Sequence, residues 1–499
     1  MPRMDSAFLE LPFRRLGEAA LSRAEELGAT YADFRFERQR SQSISVRDTN
    51  LERLVDSDVV GYAVRVVHRG AWGFASSMVL TPEAAAEAAA SAVAVAATLA
   101  PLNSEPVELA GEPAHQGTYL SSYEVDPFSV PDDEKVGFLV ATNERLLTSG
   151  KVDHVTFPVL QVLENKYLAN LDGTDVTQQR VRVGGNFDAV RVDKERGAFD
   201  TMRSCSPPVG RGWEHFAGGY DYAEEAERVP ELLEEKMRSP SVEPGRYDLV
   251  IDASNLWLTI HESIGHATEL DRALGYEANY AGTSFATLDK LDTLQYGSQV
   301  MHVTGDRTVE HGLSTVGYDD EGVEAQRWDL IRGGVLVGYQ LNRQMARKEG
   351  FGRSNGCAYA DSPGHVPLQR MPNVSLEPSP DGVGLADLIG GVDRGIYVVG
   401  DKSWSIDMQR YNFQFTGQRF FEIRGGRLVG QLKDVAYQAT TTEFWNAMEA
   451  VGGPGTYVLG GAFNCGKGQP GQAAPVSHGT PAALFRQVAI LNTTEEGAG

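Results

Sequence analysis

Hydrophobic and polar positions along the first hundred residues follow two different periods. From Leu11 to Leu27 the apolar residues recur at helical spacing and Gly28 ends the run, which predicts an amphipathic helix. Ala32–Arg38 (ADFRFER), Gln42–Arg47 (QSISVR) and Val60–Val67 (VGYAVRVV) alternate instead, as does the stretch near Trp72–Ala75. Alternation bounded by turn residues predicts antiparallel strands. Thr81-Pro82-Glu83 then opens an Ala-rich run from Ala84 to Ala100. Thr81 suits an N-cap and Pro82 the first helical position, so this run reads as a helix.

Pro101 to Pro131 is rich in Pro, Gly, Ser and Glu and reads as loop. A second unit follows, with a helix over Asp132–Thr148, alternating strands from about Val152 to Val192, and an acidic helix over Glu224–Met237. Pro240 and Pro244 mark a boundary. Beyond it, Tyr247–Ile251 (YDLVI) has the pattern of a short buried strand. Leu256 to Leu274 is the one long helical pattern of this half, with Asn255 as its expected cap and Gly275 at its expected C-terminal position. The rest reads as strands and Gly-rich turns: Gln326–Ile331, Gly334–Leu341, Gly395–Gly400, Tyr411–Gly417, Gln418–Ile423 and Gly455–Leu459. No fixed-period repeat is present. The expected fold class is α+β: N-terminal domains of helices and antiparallel strands over 1–105 and 106–240, then a β-rich C-terminal domain over 241–499 that carries the long helix.

Composition changes the picture in two ways. Forty-five Lys and Arg stand against 68 Asp and Glu, a formal charge of −23. Such a surface repels phosphate backbones, and no basic run overrides it, so nucleic acid is excluded as a partner. The three cysteines, Cys205, Cys357 and Cys465, are odd in number and widely spaced. That pattern fits a reducing cytoplasm better than a disulfide framework. The N-terminus lacks the apolar core of a signal peptide, and the Ala-rich run contains Glu87, so no membrane association is expected.

The chemistry concentrates in His261-Glu262-Ser263-Ile264-Gly265-His266. Neutral imidazoles ligate Zn²⁺, and a catalytic site keeps one coordination position open. A neighbouring carboxylate can accept a proton from water and return it to a leaving amine, and Glu262 is placed for that role. The spacing is unusual. The common H-E-x-x-H motif puts its histidines at i and i+4, whereas these stand at i and i+5. On a regular helix they would diverge by roughly 140°. One extra residue in the turn, a π-bulge, closes the gap, and Gly265 is a low-cost place for it. A buried helix holding two hydrogen-bonded histidines would show the same six residues.

A zinc site needs a third protein ligand. Glu269, Asp271 and Glu277 lie on or just after the helix, and His311, His365 and His478 lie further away. Cys465 sits in Asn464-Cys465-Gly466-Lys467-Gly468-Gln469, read here as a glycine-flanked turn. A thiolate is a strong zinc ligand, and Lys467 would help keep it ionised. These residues rank Cys465 slightly ahead of the carboxylates. Asp319-Asp320-Glu321-Gly322 reads as an acidic turn before a strand rather than a second metal site. Trp404, Tyr411 and Phe413 read as strand core, and Arg327 and Arg343 as a solvated strand face.

Four blocks, in order, resemble the TldD-type subunit of the TldD/PmbA (TldD/TldE) metallopeptidase family. They are ERQRSQSISVRDTNLERLVDSDVVGYAVRVV near the N-terminus, HESIGHATELD, DDEGVEAQRWDLIRGGVLVGYQLNRQMA (Asp319 to Ala346), and NCGKGQPGQAAPVSHGTPAALF (Asn464 to Phe485). The resemblance covers nearly the whole chain. It implies a Zn²⁺ site of His261, His266 and Cys465 with Glu262 as general base. It also implies pairing with a TldE/PmbA-type subunit or with a second copy, and unfolded or extended peptides as substrates, including leader peptides and labile proteins. This chain departs from the family pattern at Ala267-Thr268-Glu269-Leu270-Asp271 and at Gly468 directly after Lys467. Neither departure removes a ligand. The competing expectation is a metal-stabilised subunit that binds peptides, or regulates a partner, without cutting.

Overall fold

The computed structural model describes residues 2–494. The predicted N-terminal strands form, but they are longer than their patterns. β1 (Tyr31–Arg47) joins both predicted segments and pairs along its whole length with β2 (Asn50–His68). β3 (Ala71–Ser77) follows. The Phe13–Glu26 helix, α1, and the Pro82–Leu99 helix, α2, bury Leu16, Ala20, Ala85, Ala89 and Ala92 against the sheet. Thr81 caps α2 by accepting from the Ala84 amide. The Pro82–Leu102 segment is long and apolar enough to cross a membrane by length and composition alone. One face of it is packed in this core.

A strand absent from the sequence reading, β4 (Gln116–Leu120), lies in the stretch read as loop. Its first three residues explain the omission, since Gln116, Gly117 and Thr118 are exposed and carry no apolar alternation. After α3 (Asp132–Thr148) come β5 (His154–Asn170), β6 (Asp175–Gly185), β7 (Asp188–Asp193), β8 (Ala198–Arg203) and then α4 (Tyr222–Arg238). One sheet takes strands from both stretches, in the order β3-β2-β1-β5-β6-β4, with β7 and β8 continuing from β5. Residues on either side of position 105 therefore share a hydrogen-bonded sheet.

The C-terminal part is β-rich, and the molecule as a whole is α+β. β9 (Gly245–Ile251) leads into α5 (Ala253–Ile260). A small sheet follows, formed by β10 (Val303–Asp306), β11 (Arg327–Arg332), β12 (Val335–Leu336) and β13 (Asn373–Leu376). The larger sheet comprises β9, β14 (Arg394–Ile406), β15 (Asn412–Arg424), β16 (Arg427–Leu432), β17 (Val435–Thr440), β18 (Met448–Val451) and β21 (Ala483–Asn492). Its order is β14-β9-β21-β17-β15-β16, and β14 also pairs with β15, which closes five strands into a ring. β19 (Val458–Gly468) and β20 (Gly471–Thr480) form a separate hairpin.

Several local expectations are corrected. The helix cap is Asp252, which accepts from the Ser254 amide; Asn255 lies inside the helix and donates to the carbonyls of Gly400 and Thr416. Leu256–Leu274 is not one helix. It passes from α5 into a π-turn over His261–Gly265, then 3₁₀ over His266–Thr268 and a short turn of helix over Leu270–Ala273. Gly334–Leu341 keeps only Val335–Leu336 as strand. Cys465 stands in β19 rather than in a turn; the turn is at Gly468–Gly471.

The Asp319-Asp320-Glu321 turn is fully buried, because it meets cations from the N-terminal sheet. Lys166 lies 2.8 Å from Asp320, and Arg65 lies 3.1 Å from Glu321. Arg343 is likewise buried rather than solvated, with its guanidinium over the Tyr31 ring and its Nε donating to Ala110. Arg327 is exposed and pairs with Glu377. Trp404 is half exposed rather than core, while Phe413 is buried as expected.

Candidate metal centre

The helix that carries the motif is fixed from both ends. Leu256, Leu258 and Ile260 belong to the main C-terminal core, and Thr259 Oγ1 meets the Tyr437 hydroxyl at 2.8 Å. The predicted distortion occurs over the motif itself, where five consecutive residues adopt the π form. A wider turn leaves carbonyls without their helical partners, and a buried carbonyl needs a replacement. Tyr296 donates to the Ser263 carbonyl and Gln340 to the Gly265 carbonyl. The Ser263 hydroxyl is held by the Trp445 indole at 2.9 Å. Gly265 has ordinary helical dihedrals (φ −51°, ψ −61°). Its need is space, since a Cβ there would lie 2.5 Å from Met371 Sδ.

The π-turn brings the imidazoles of His261 and His266 to one side, with ring centroids 4.7 Å apart. β19 delivers Cys465 against them, its Sγ 3.8 Å from His266 Nε2. One potential ligand atom from each of the three residues lies within 4.8 Å of the others, and all three residues are buried. Among the described residues, no other cluster of His, Cys, Asp and Glu side chains is grouped this way.

Hydrogen bonds assign the tautomers. His478 Nδ1 is 2.8 Å from the Val374 carbonyl, which can only accept, so His478 carries its proton there. Its Nε2 then accepts from His261 Nδ1 at 2.7 Å, leaving His261 Nε2 with a free lone pair. His266 Nδ1 donates to Glu269 Oε2 at 2.8 Å, and its Nε2 is free in the same way. This is the arrangement by which outer partners orient metal-ligating histidines. Burial, and after it neighbouring positive charge, depresses the basicity of both imidazoles well below the usual range. Burial holds His478 down to about 4. Two nitrogen lone pairs and a thiol at this separation are a donor set that zinc accepts.

The remaining sequence candidates do other work or lie elsewhere. His478 and Glu269 support the histidines rather than joining the cluster. Asp271 and Glu277 pair with Lys467 at 2.8 and 3.1 Å. Lys467 is thus committed to carboxylates, and the cation that acts on Cys465 is Arg370, which donates to the Cys465 carbonyl. Burial pushes the Cys465 thiol up to about 12 despite that charge. His311 and His365 bond to Gly210 and Asp361 away from the cluster.

Glu262 lies beside the cluster and is buried, and burial raises its carboxyl above the usual range. Arg410 donates to Glu262 Oε2 and opposes that shift, as does Trp404. The three potential ligands and Glu262 open on a cavity of about 830 Å³ between the N-terminal sheet and the C-terminal part. Its walls include Gly184, Asn186, Trp257, Trp404, Arg410 and the inner stretch of β19. Arg410, Trp404 and Arg370 were not legible as site residues. Each comes from a strand or turn more than ninety positions from its partner in the site, and no local motif marks it.

The sequence profile of the PmbA/TldA metallopeptidase C-terminal domain matches residues 244–492, that of domain 1 matches 32–96, and that of the central domain matches 125–235. A metalloprotease of Methanothermobacter thermautotrophicus is 27% identical over 463 residues, covering 93% of this chain and 96% of the relative. A protein of Saccharolobus solfataricus named zinc metalloprotease TldD homolog is 22% identical over 476 residues, 94% and 98% of the two chains. The solved structure of TldE from Thermococcus kodakarensis superposes with a TM-score of 0.69 at 19% identity, covering 95% of this chain and 99% of that one, a likeness of fold. With all three domain profiles matched in order across most of its length, the chain belongs to the TldD/PmbA family of metallopeptidases.

Proposed function

We propose that this protein is a zinc-dependent peptidase acting on unfolded or extended peptides. His261 Nε2, His266 Nε2 and the Cys465 thiolate hold the metal, and Glu262 is the general base. The observation that carries this reading is the convergence of two correctly oriented imidazoles and one thiol, with a buried carboxylate alongside and a large cavity in front. A structural zinc site is normally closed by four protein ligands. Here three potential ligands face open space. The name of the Saccharolobus relative also supports zinc.

When bound, zinc supplies Lewis acidity and makes water acidic enough to ionise near neutral pH. The chain's own residues do the rest. Glu262 accepts the proton of the attacking water as its oxygen bonds to the carbonyl carbon. It then delivers that proton to the amine nitrogen as the C–N bond breaks. An extended substrate suits the cavity, because β19 ladders only with β20 among the described residues and its residues 460–466 line the space. An unpaired strand edge recognises peptide backbone irrespective of side chain. Leader peptides and labile proteins are the substrate classes this reading favours, in the cytoplasm and with a TldE/PmbA-type subunit or a second copy as partner.

Elemental analysis of the wild type beside Cys465→Ala, with cleavage assays of the wild type beside Glu262→Gln, tests the reading. Zinc should be present in the wild type and in Glu262→Gln, and largely lost from Cys465→Ala. Cleavage of an unstructured peptide should fall by roughly 10²–10⁴-fold in Glu262→Gln. Assays should include the chain alone and with a companion subunit. Undiminished cleavage in Glu262→Gln would remove the mechanism. Zinc retained without any cleavage by the wild type would leave a peptide-binding subunit.

A further inference from the structure

We infer that Arg410 is a second catalytic residue: in the substrate-free molecule its guanidinium rests on Glu262, and with a peptide bound it also carries the carbonyl oxygen of the scissile bond. This inference rests on the peptidase reading of the same site.

Peptide hydrolysis needs a donor for the negative charge that develops on the carbonyl oxygen, and fixed donors in a water-poor site do this best. Two arginines face the cavity, Arg203 and Arg410. Both leave a buried Nε without a hydrogen-bond partner among the described residues, but Arg203 rests on Asp401 and not on the general base, with one Nη 2.7 Å from Oδ2 and 3.2 Å from the backbone carbonyl. Arg410 uses only Nη1, on Glu262, and its buried Nε has no hydrogen-bond partner among the described residues. A guanidinium has five donors in a planar fork. One edge can therefore stay on the general base while another reaches a carbonyl beside it. Contact with Glu262 puts this fork next to the attacking water's path.

The backbone shows that the position is imposed. Arg410 has φ +64°, a left-handed conformation that is uncommon for a residue with a side chain. Such conformations persist where the surroundings over-determine them, and they gather at functional sites. The tip of the β14–β15 connection is held on every side. The Asp407 carboxylate accepts from the amides of Gln409, Tyr411 and Asn412. Thr441 Oγ1 donates to the Arg410 carbonyl at 2.7 Å. The amides of Thr283 and Phe285 donate to Met408 and Gln409. A simple surface ion pair needs none of this scaffolding.

The balance of the step is unchanged from ordinary hydrolysis. Water oxygen bonds to the carbonyl carbon, its proton passes to Glu262, and the carbonyl π pair moves onto oxygen, where Arg410 meets it by hydrogen bonding without transferring its own proton. The pair returns as the C–N bond breaks and nitrogen takes the proton from Glu262.

The experiment compares wild type, Arg410→Ala and Arg410→Lys, each zinc-loaded, on an internally quenched unstructured peptide. It also measures inhibition by a phosphinic peptide, a tetrahedral mimic, beside a non-cleaved ground-state analogue. Arg410→Ala should lose roughly 10²–10³-fold in kcat with KM within about threefold, and a comparable factor in phosphinic-peptide affinity alone. Arg410→Lys should lie between, because it keeps charge but not the fork. Added guanidinium ion should restore part of the Arg410→Ala rate. Full zinc content with unchanged kcat, or equal loss of affinity for both inhibitors, overturns the inference and leaves the peptidase reading standing. A zinc-loaded wild type that cleaves nothing, alone or partnered, overturns both.

Discussion

At the residue scale, the site is an exercise in fixing lone pairs. His261 and His266 each have one nitrogen committed outward, to His478 and Glu269, so that the other must face Cys465. Substituting His478 by Phe removes the acceptor for His261 Nδ1. Zinc affinity should fall about 10–100-fold, as for other outer partners of metal ligands, in competition titrations against a chelator. Unchanged affinity would show that His261 is oriented by packing alone. Zinc binding should also release one proton from Cys465. Its thiol is pushed up to about 12 in the metal-free chain and so is protonated at neutral pH, while the bound form is thiolate. The two histidines are already neutral there. Apparent affinity should therefore rise about tenfold per pH unit above neutrality. Calorimetry in buffers of different ionisation enthalpy counts the proton, and a count of zero would exclude the thiol as a ligand.

At the element scale, the π-turn converts an unfavourable spacing into a usable one. Sequence predicted it because i and i+5 cannot share a face of a regular helix. What sequence could not show is what stabilises the widened turn, namely Tyr296, Gln340 and Trp445 on segments far along the chain. Gly265→Ala should destabilise the protein by about 1–3 kcal/mol through overpacking, the lower end if the Met371 thioether swings aside. Urea unfolding measures this, and a neutral result would mean that the contact relaxes freely. The same limit applies to strand assignment. Cys465 looked like a turn residue because glycines surround it. It is in a strand because β20 supplies the ladder.

At the scale of the whole molecule, the cavity exists because two parts meet over it, and buried charge holds that meeting. Lys166 from the N-terminal sheet sits 2.8 Å from Asp320 and within 3.7 Å of both Glu37 and Glu164, all buried. Breaking such a network from one side costs more than the pair itself contributes, because the remaining charges are stranded. Lys166→Met should lower stability by about 3–5 kcal/mol by denaturant titration. A loss below about 1 kcal/mol would mean that water reaches the cluster. Asp319, Asp320 and Glu321 carried no such message in sequence, since an acidic turn is ordinarily solvated.

The sequence by itself determined what local patterns encode. Period and caps gave α1, α2, α3 and most of the N-terminal strands, and the six-residue motif gave the two histidines, the carboxylate beside them and the need for a distorted turn. Resemblance supplied Cys465 where spacing alone left several candidates. Only the tertiary structure decided which of those candidates stands beside the histidines, and which ones orient them instead. It alone placed Arg410, Trp404 and Arg370 at the site and turned an acidic loop into an interdomain anchor. The physical reason is common to all of these. Covalent neighbours set periodicity and turns over a few residues, whereas a cluster of potential ligands, a buried ion network and a cavity are made by groups that meet only after the sheets close.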